Sequence, residues 1–254
     1  MRIAALYDIH GNLPALEAVL HKIRQEEVGL IVIGGDVVPG PMPLETFRSL
    51  LALEIPTKFI VGNTDREVLS QMDGVETAWF RTAPEPWREP VRWTSQKLQP
   101  EHKKLIAGWS ATYRLEFPTL GNILFCHATP RNDTDIFTRL TSEDRLLPIF
   151  KEVEDPIVVC GHTHMQFDRK IGEIRVVNAG SVGMPFGETG AQWLFIDREI
   201  ELRKTEYDLE EAADRIRDTS YPQAEDFATQ YILNPPSEEV MLEVYEKVEL
   251  KHDG

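Results

Sequence analysis

Cysteine is scarce in this sequence, two residues in 254, so no disulfide framework can hold the chain together. A reducing compartment, the cytoplasm, is the expected setting. Basic charge is short as well: 27 Lys and Arg face 42 Asp and Glu, for a formal charge of −15. That balance speaks against nucleic acid or an anionic membrane as the partner, yet it leaves a phosphate-bearing substrate open if cations are held locally. Long apolar runs are missing. Stretches such as Leu30–Ile33 and residues 193–196 fall far below the roughly 20 residues that cross a bilayer. No secretory leader is expected either, because residues 2–7 read as a strand running into Asp8. There is no internal repeat, low-complexity tract or flexible linker. What is present, 42% hydrophobic and 27% charged residues, is the composition of a globular protein with enough chain to bury a large core.

The first third alternates strand and helix. Residues 3–7 form a short apolar run, and Asn12 and Pro14 then start a helix with Leu16, Val19, Leu20 and Ile23 on one face. A second buried-type strand, residues 30–33, ends in Gly34-Gly35-Asp36. A proline-rich turn leads to a helix around residues 44–53, and a third strand, 58–61, ends in Gly62-Asn63. This alternation predicts a parallel sheet with right-handed crossovers. Residues 70–109 hold four of the five Trp, and short helices are expected at 91–98 and 101–109. Strands return at 111–117, 122–126, 156–160, 166–170, 174–177 and 192–196, and residues 200–203 close a hairpin with the last. A helix follows at 208–217, where Asp208 and Glu211 resemble a capping box. After Pro235-Pro236, Ser237 starts a final helix with Val240, Met241, Val244, Tyr245 and Val248 on its apolar face. The simplest reading is one domain: a core over residues 1–205 and a C-terminal helical extension, 206–254, packed on it.

Five segments place metal-type ligands at strand ends: Asp8-Ile9-His10, Gly35-Asp36, Gly62-Asn63, Cys126-His127 and Gly161-His162-Thr163-His164. In an open α/β sheet, groups beyond the carboxyl ends of the strands converge on one crevice. Asp8 and Asp36 lie 28 residues apart, Asp36 and Asn63 27, which sets these side chains on neighbouring strand tips. Four of the chain's seven His fall in these motifs. Two carboxylates, one amide oxygen and four imidazoles are too many ligands for one ion that must keep a position open. They suit two divalent cations sharing a bridging carboxylate. Four imidazoles favour Mn, Fe, Co, Ni or Zn over Mg or Ca, with manganese the expected activator.

Taken together with Gly11-Asn12 and Thr64-Asp65, these segments resemble the calcineurin-like metallophosphoesterases. Residues 177–183, Val-Asn-Ala-Gly-Ser-Val-Gly, are similar to those of the compact bacterial and archaeal phosphodiesterase branch. The resemblance spans about residues 1–205 and implies an α/β fold, a four-layer αββα sandwich with a binuclear centre between its two sheets. It implies that Asp8, His10, Asp36 and His164 hold one metal. Asp36 as the bridge, with Asn63, His127 and His162, would hold the other, and Asp36, Asn63 and His127 would be the catalytic set. The implied activity is metal-dependent hydrolysis, by a bridging hydroxide, of a small phosphodiester or a nucleotide phosphoanhydride such as a dinucleoside polyphosphate. A phosphomonoesterase or phosphoprotein phosphatase with the same centre stays open, as does a non-catalytic interaction scaffold. The expected partner is a small phosphate-containing substrate, a nucleotide among the candidates, with no nucleic acid and no membrane. A homo-oligomer remains open. The sequence departs from the family pattern at Thr64, where a candidate general-acid His is usual. It departs also at Tyr7, where Ser is common, and at Ala179.

Substrate contacts are expected from Asn12, Thr64 and Arg131, although Asn12 equally reads as a helix N-cap and Arg131 as a surface residue. Cys126 and Cys160 read as small core hydrophobes. The Trp-rich segment reads as helix packing over a sheet edge, with a stacking platform as the alternative.

Overall fold

The computed structural model describes residues 2–248 and 250. Strands β1 (Ile3–Leu6), β2 (Leu30–Ile33) and β3 (Thr57–Phe59) alternate with helices α1 (Leu13–Gln25) and α2 (Pro43–Leu51). Four helices follow: α3 (Asn63–Met72), α4 (Ala78–Thr82), α5 (Glu85–Lys97) and α6 (Pro100–Ala107). Then come β4 (Thr112–Phe117), β5 (Gly121–Cys126), α7 (Glu143–Phe150), β6 (Ile157–Cys160), β7 (Gln166–Ile171), β8 (Ile174–Ala179), β9 (Ala191–Ile196) and β10 (Ile200–Thr205). The chain continues through α8 (Leu209–Arg217), α9 (Ala224–Phe227), a π-helical segment (Ala228–Leu233) and α10 (Glu238–Glu246). No helix among the described residues is long and apolar enough to cross a membrane.

The strands form two mixed five-stranded sheets, ordered β10-β9-β1-β2-β3 and β4-β5-β6-β8-β7. β1, β2 and β3 run parallel, as do β5, β6 and β8, while β9 pairs antiparallel with β1 in the register Ile3↔Ile196. Side-chain alternation sorts these strands into layers. Ile3, Ala5 and Tyr7 pack with Ile123, Phe125, Ile157 and Val159 of the second sheet. Their neighbours Ala4 and Leu6 turn outward onto Leu16, Val19 and Leu20 of α1. Val158 and Cys160 turn the opposite way, onto Leu146, Ile149 and Phe150 of α7. Both faces of each sheet are therefore buried, and the result is the four-layer αββα sandwich. Beyond it, Ala212, Ile216, Tyr221, Phe227 and Ile232 form a separate apolar cluster.

Several expectations need correction. The helix expected from residue 91 begins at Glu85, because Pro84 to Pro86 opens the helix instead of ending it and Pro90 is carried inside. α3 and α7 are additional to the expected helices; Gly62-Asn63 reads as a turn, and α7 carries Pro148 inside it. Gly62 instead caps α3, with its N–H donated to Asp65 Oδ2 at 3.1 Å. At α8, Asp208 Oδ1 accepts the Glu211 N–H at 3.0 Å. On α10, Val240 and Val244 stand exposed. Of the Trp-rich segment, Trp109 stacks on Phe59 with ring centroids 5.1 Å apart and Trp93 meets Tyr221 edge-on at 5.3 Å, while Trp87 stands exposed. Cys126 and Cys160 are fully buried, and burial pushes both thiols up, which leaves them inert.

Candidate metal centre

All seven ligand-type side chains lie just beyond strand ends on one edge of the sandwich, and backbone hydrogen bonds stitch their loops together. The Asp8 N–H donates to Gly35 O at 3.1 Å and the His10 N–H to Asp36 O at 2.9 Å. Within the second sheet the Gly161 N–H donates to His127 O at 2.8 Å, and across the two sheets the Gly183 N–H donates to Asp8 O at 3.0 Å. Five of the seven residues have left-handed backbones: Asp8 (φ 54°), His10 (47°), Asp36 (51°), His162 (68°) and His164 (57°). For a residue with a Cβ such a conformation costs roughly 1–3 kcal/mol and persists only where the surroundings impose it. Here the stitched loops impose it, and each turn swings a side chain off the strand line toward the crevice.

The side chains gather into two groups, Asp8 with His10 and His164, and Asp36 with His127 and His162. His10 Nε2 and His164 Nε2 are 3.2 Å apart, and Asp8 Oδ1 lies 3.3 Å from His164 Nε2. Asp36 Oδ2 sits between the groups, 3.7 Å from His10 Nε2 and 3.5 Å from His127 Nε2. Asn63 Oδ1 joins the second group, 3.0 Å from His127 Nε2. The remaining atoms of these side chains are tied down. Asp8 Oδ2 accepts the His162 N–H at 2.8 Å and Asp36 Oδ1 the Thr64 N–H at 2.9 Å. Nδ1 of His127 faces Gly34 O at 2.9 Å and Nδ1 of His164 faces Met184 O at 2.8 Å. With those Nδ1 atoms as donors, both Nε2 lone pairs are presented to the crevice.

Two buried atoms test whether cations fit: Asp8 Oδ1 and His162 Nε2 have no hydrogen-bond partner, and each belongs to a different group. A buried polar atom left unsatisfied costs about 1–3 kcal/mol, more when charged, and a cation in each group would satisfy both. The nitrogen and oxygen donors suit borderline first-row ions.

Electrostatics agree. Burial works against the Asp8 carboxylate, but His164 and His127 beside it hold its pKa below the usual range. Asp36 is held down by His127 and His10 against the same penalty. Burial pushes His10 and His162 down to about 4, so both are neutral and ready to ligate at pH 7. His127 is the exception: against burial, Asp36 and then Asp8 raise it to about 10 in the metal-free protein. A cation taken up on His127 Nε2 must displace that proton. Loading at pH 7 should therefore release about one proton from this group, with affinity rising about tenfold per pH unit from 7 toward 9. Calorimetric titrations in buffers of different ionisation enthalpy would count the proton.

The substrate contacts expected from sequence fare differently. Asn12 is fully buried: its Oδ1 caps α1 through the Ala15 N–H at 3.2 Å and its Nδ2 donates to Gly183 O at 2.8 Å. It holds two loops together. Arg131 is clamped bidentately on Asp135, with Nη2 2.8 Å from Oδ1, so its fork is already engaged four residues along the chain. The Thr64 hydroxyl donates to Val38 O at 3.0 Å, and its part in the site is the backbone N–H on Asp36. Three residues of the motifs quoted above, given no role from sequence, position the site. Asp65 accepts the Val38 and Gly62 N–H groups, locking the Asp36 and Asn63 loops together. Asn178 Nδ2 donates to Gly161 O at 2.7 Å, and Ser181 Oγ to Asp8 O at 2.7 Å. Asp65 lies in the first turn of α3, Asn178 in β8 and Ser181 just after it.

A two-sheet sandwich with paired His–Asp groups at its strand tips has the architecture of a hydrolase that works with divalent cations. The sequence profile of the calcineurin-like phosphoesterase superfamily domain matches residues 1–199. An uncharacterized protein of Methanocaldococcus jannaschii is 28% identical over 245 residues, covering 87% of this chain and 94% of that one. The phosphodiesterase YfcE of Escherichia coli K12 is 26% identical over 209 residues, covering 79% of this chain and 89% of its own. The crystal structure of a metallophosphoesterase from Sphaerobacter thermophilus superposes with a TM-score of 0.72 at 22% identity, covering 92% of this chain and all of that one. The chain belongs to the calcineurin-like phosphoesterase superfamily and is a phosphoester hydrolase. The family uses divalent metals, and the two groups described here could hold them.

Proposed function

We propose that this protein is a cytoplasmic phosphodiesterase that hydrolyses small phosphodiesters or nucleotide phosphoanhydrides with two divalent cations, manganese foremost. One observation carries the reading: Asp36 Oδ2 lies between two His–Asp groups, within 3.7 Å of an imidazole of each. In this reading Asp8, His10 and His164 hold one cation, Asn63, His127 and His162 the other, and Asp36 both. Bound cations acidify water and offset charge on the phosphoryl oxygens. The chain's own part is to hold and orient. The Thr64 N–H fixes the Asp36 carboxylate, Gly34 O and Met184 O fix two imidazoles, and the bonded loops keep the groups facing one another.

Proton delivery to the leaving group is the step these residues support least. The Thr64 hydroxyl is bonded to Val38 O, and a hydroxyl is a poor acid near pH 7 in any case. Missing general-acid help costs about 10²–10⁴-fold where the leaving group needs a proton. Aryl diesters and anhydrides, whose leaving groups depart unprotonated, should turn over well, and serine phosphate and alkyl monoesters poorly. The test is a rate series over leaving groups of rising pKa with and without Mn, run on diesters and the matching monoesters, with Thr64→His alongside. A steep decline with leaving-group pKa is expected, flattening in Thr64→His. Equal rates on monoesters would favour a phosphatase, and no metal-dependent turnover at all would favour a scaffold. Elemental analysis of protein purified without added metal addresses which ions it carries.

A further inference from the structure

His127 is held from two sides by glycine backbones. Its Nδ1 faces Gly34 O at 2.9 Å, just past β2, and its own carbonyl accepts the Gly161 N–H at 2.8 Å, just past β6. Gly161 also leads directly into His162, whose ring meets that of His127 edge-on with centroids 5.1 Å apart. The two glycines follow strands of different sheets. Neither has a side chain to fix its distance from the other, so another residue must.

Tyr7 fills that gap. It follows β1 and lies between the sheets, fully buried. A Cβ added at Gly34 would fall 1.9 Å from Tyr7 Cε1, and the three atoms nearest to it all belong to the Tyr7 ring. A Cβ added at Gly161 would fall 2.5 Å from Tyr7 Cδ1. The ring therefore lies against both backbones, in the space that a side chain at either position would take. Its hydroxyl donates to Val159 O at 3.1 Å, and its carbonyl accepts the Val182 N–H at 2.9 Å, so its polar groups are spent within the fold. Interiors are close-packed, and a ring in contact with two peptides sets their separation.

We propose that Tyr7 is a positioning residue for the second His–Asp group: its ring is the spacer that keeps the Gly34 carbonyl on His127 Nδ1 and the Gly161 backbone beside it. The proposal rests on the two-cation reading above. Partners that orient a metal-binding imidazole typically contribute about 10–100-fold in metal affinity. Tyr7→Val, which keeps an apolar residue and removes the ring, should weaken one of two Mn equivalents by about that factor in calorimetry. Tyr7→Phe, which keeps the ring, should restore it. Gly34→Ala should be as damaging while Tyr7 is present, and should recover most of its affinity when combined with Tyr7→Val. Gly161→Ala should not recover in that combination, since its Cβ would also lie 2.5 Å from Asp8 Oδ2.

A second readout needs no metal. With histidine-selective isotope labelling, the His127 Nδ1 proton should shift and exchange faster in Tyr7→Val, while the His164 Nδ1 proton, which faces Met184 O, stays unmoved. Tyr7→Leu, which removes less volume, repeats these measurements if Tyr7→Val does not fold. Unchanged Mn affinity with an unmoved His127 proton would overturn the proposal, as would no recovery in the Gly34→Ala and Tyr7→Val combination. Equal loss of both histidine protons, the mark of a general loosening, would overturn it too. A parent protein that binds no Mn or turns over no diester would sink the two-cation reading instead, and the imidazole protons would still decide on Tyr7.

Discussion

Asp36→Asn should abolish turnover, lowering kcat/KM by at least about 10³-fold, and should lose metal from both groups at once. The reason is that both oxygens of this carboxylate are committed to different tasks. Oδ1 accepts the Thr64 N–H, and Oδ2 lies between His10 Nε2 and His127 Nε2. An amide offers one oxygen and one NH₂. Turned one way, the NH₂ opposes the Thr64 N–H, donor against donor. Turned the other way, it faces the imidazoles and offers a cation nothing. The substitution also removes the charge that keeps His127 protonated in the metal-free protein, so the empty site loses its internal ion pair as well. His164→Ala, by contrast, should weaken chiefly the group containing Asp8 and His10. Elemental analysis of both variants beside steady-state kinetics would check the assignment. Full occupancy and full activity in Asp36→Asn would falsify the bridging role.

Gly62→Ala should be nearly as damaging, through space alone. The backbone at Gly62 (φ −94°) is one that alanine adopts readily. A Cβ there, however, would lie 2.2 Å from Asp36 Oδ1 and 2.3 Å from the Asp36 N. Neither neighbour can yield, since the carboxylate is held by Thr64 and the nitrogen belongs to a left-handed turn. The expected cost is about 1–3 kcal/mol of stability, as for other overpacked interiors, together with a loss of turnover of about 10²-fold or more as Asp36 is displaced. Gly74→Ala is the control: its φ is +71° but a Cβ would meet nothing within 4 Å, so it should cost stability through strain and leave kcat/KM intact. Denaturant melts and kinetics on the two variants separate crowding from strain.

The contrast between those glycines shows what a sequence can and cannot disclose. The ligand types were legible because strand ends announce themselves: an apolar run stops at Asp8, at Asp36 or at His162, and equal spacing lines the stops up. The two sheets were legible for the same reason, through apolar runs and alternation. The left-handed turns at Asp8, His10 and Asp36 were not, because residues with a Cβ leave no trace of a conformation that their surroundings force on them. The bonding of Arg131 and Asn12 was hidden for a different reason. Each has a local partner, Asp135 or the Ala15 N–H, that the sequence does not reveal. Thr64 was singled out for its hydroxyl, whereas its N–H is what touches the site.

The pairing of β1 with β9 has a kinetic consequence. Ile3 meets Ile196, so the middle of the first sheet joins segments from opposite ends of the family domain, whereas every strand of the second sheet lies within residues 112–179. Loop-closure entropy has to be met before so distant a contact contributes, which makes this pairing the slow one. Until β9 arrives, β1 carries an unpaired apolar edge beside β2, the kind of edge that joins other chains. During synthesis the second sheet can assemble on its own, while the loop bearing Asp8 and His10 waits for the strand that closes it.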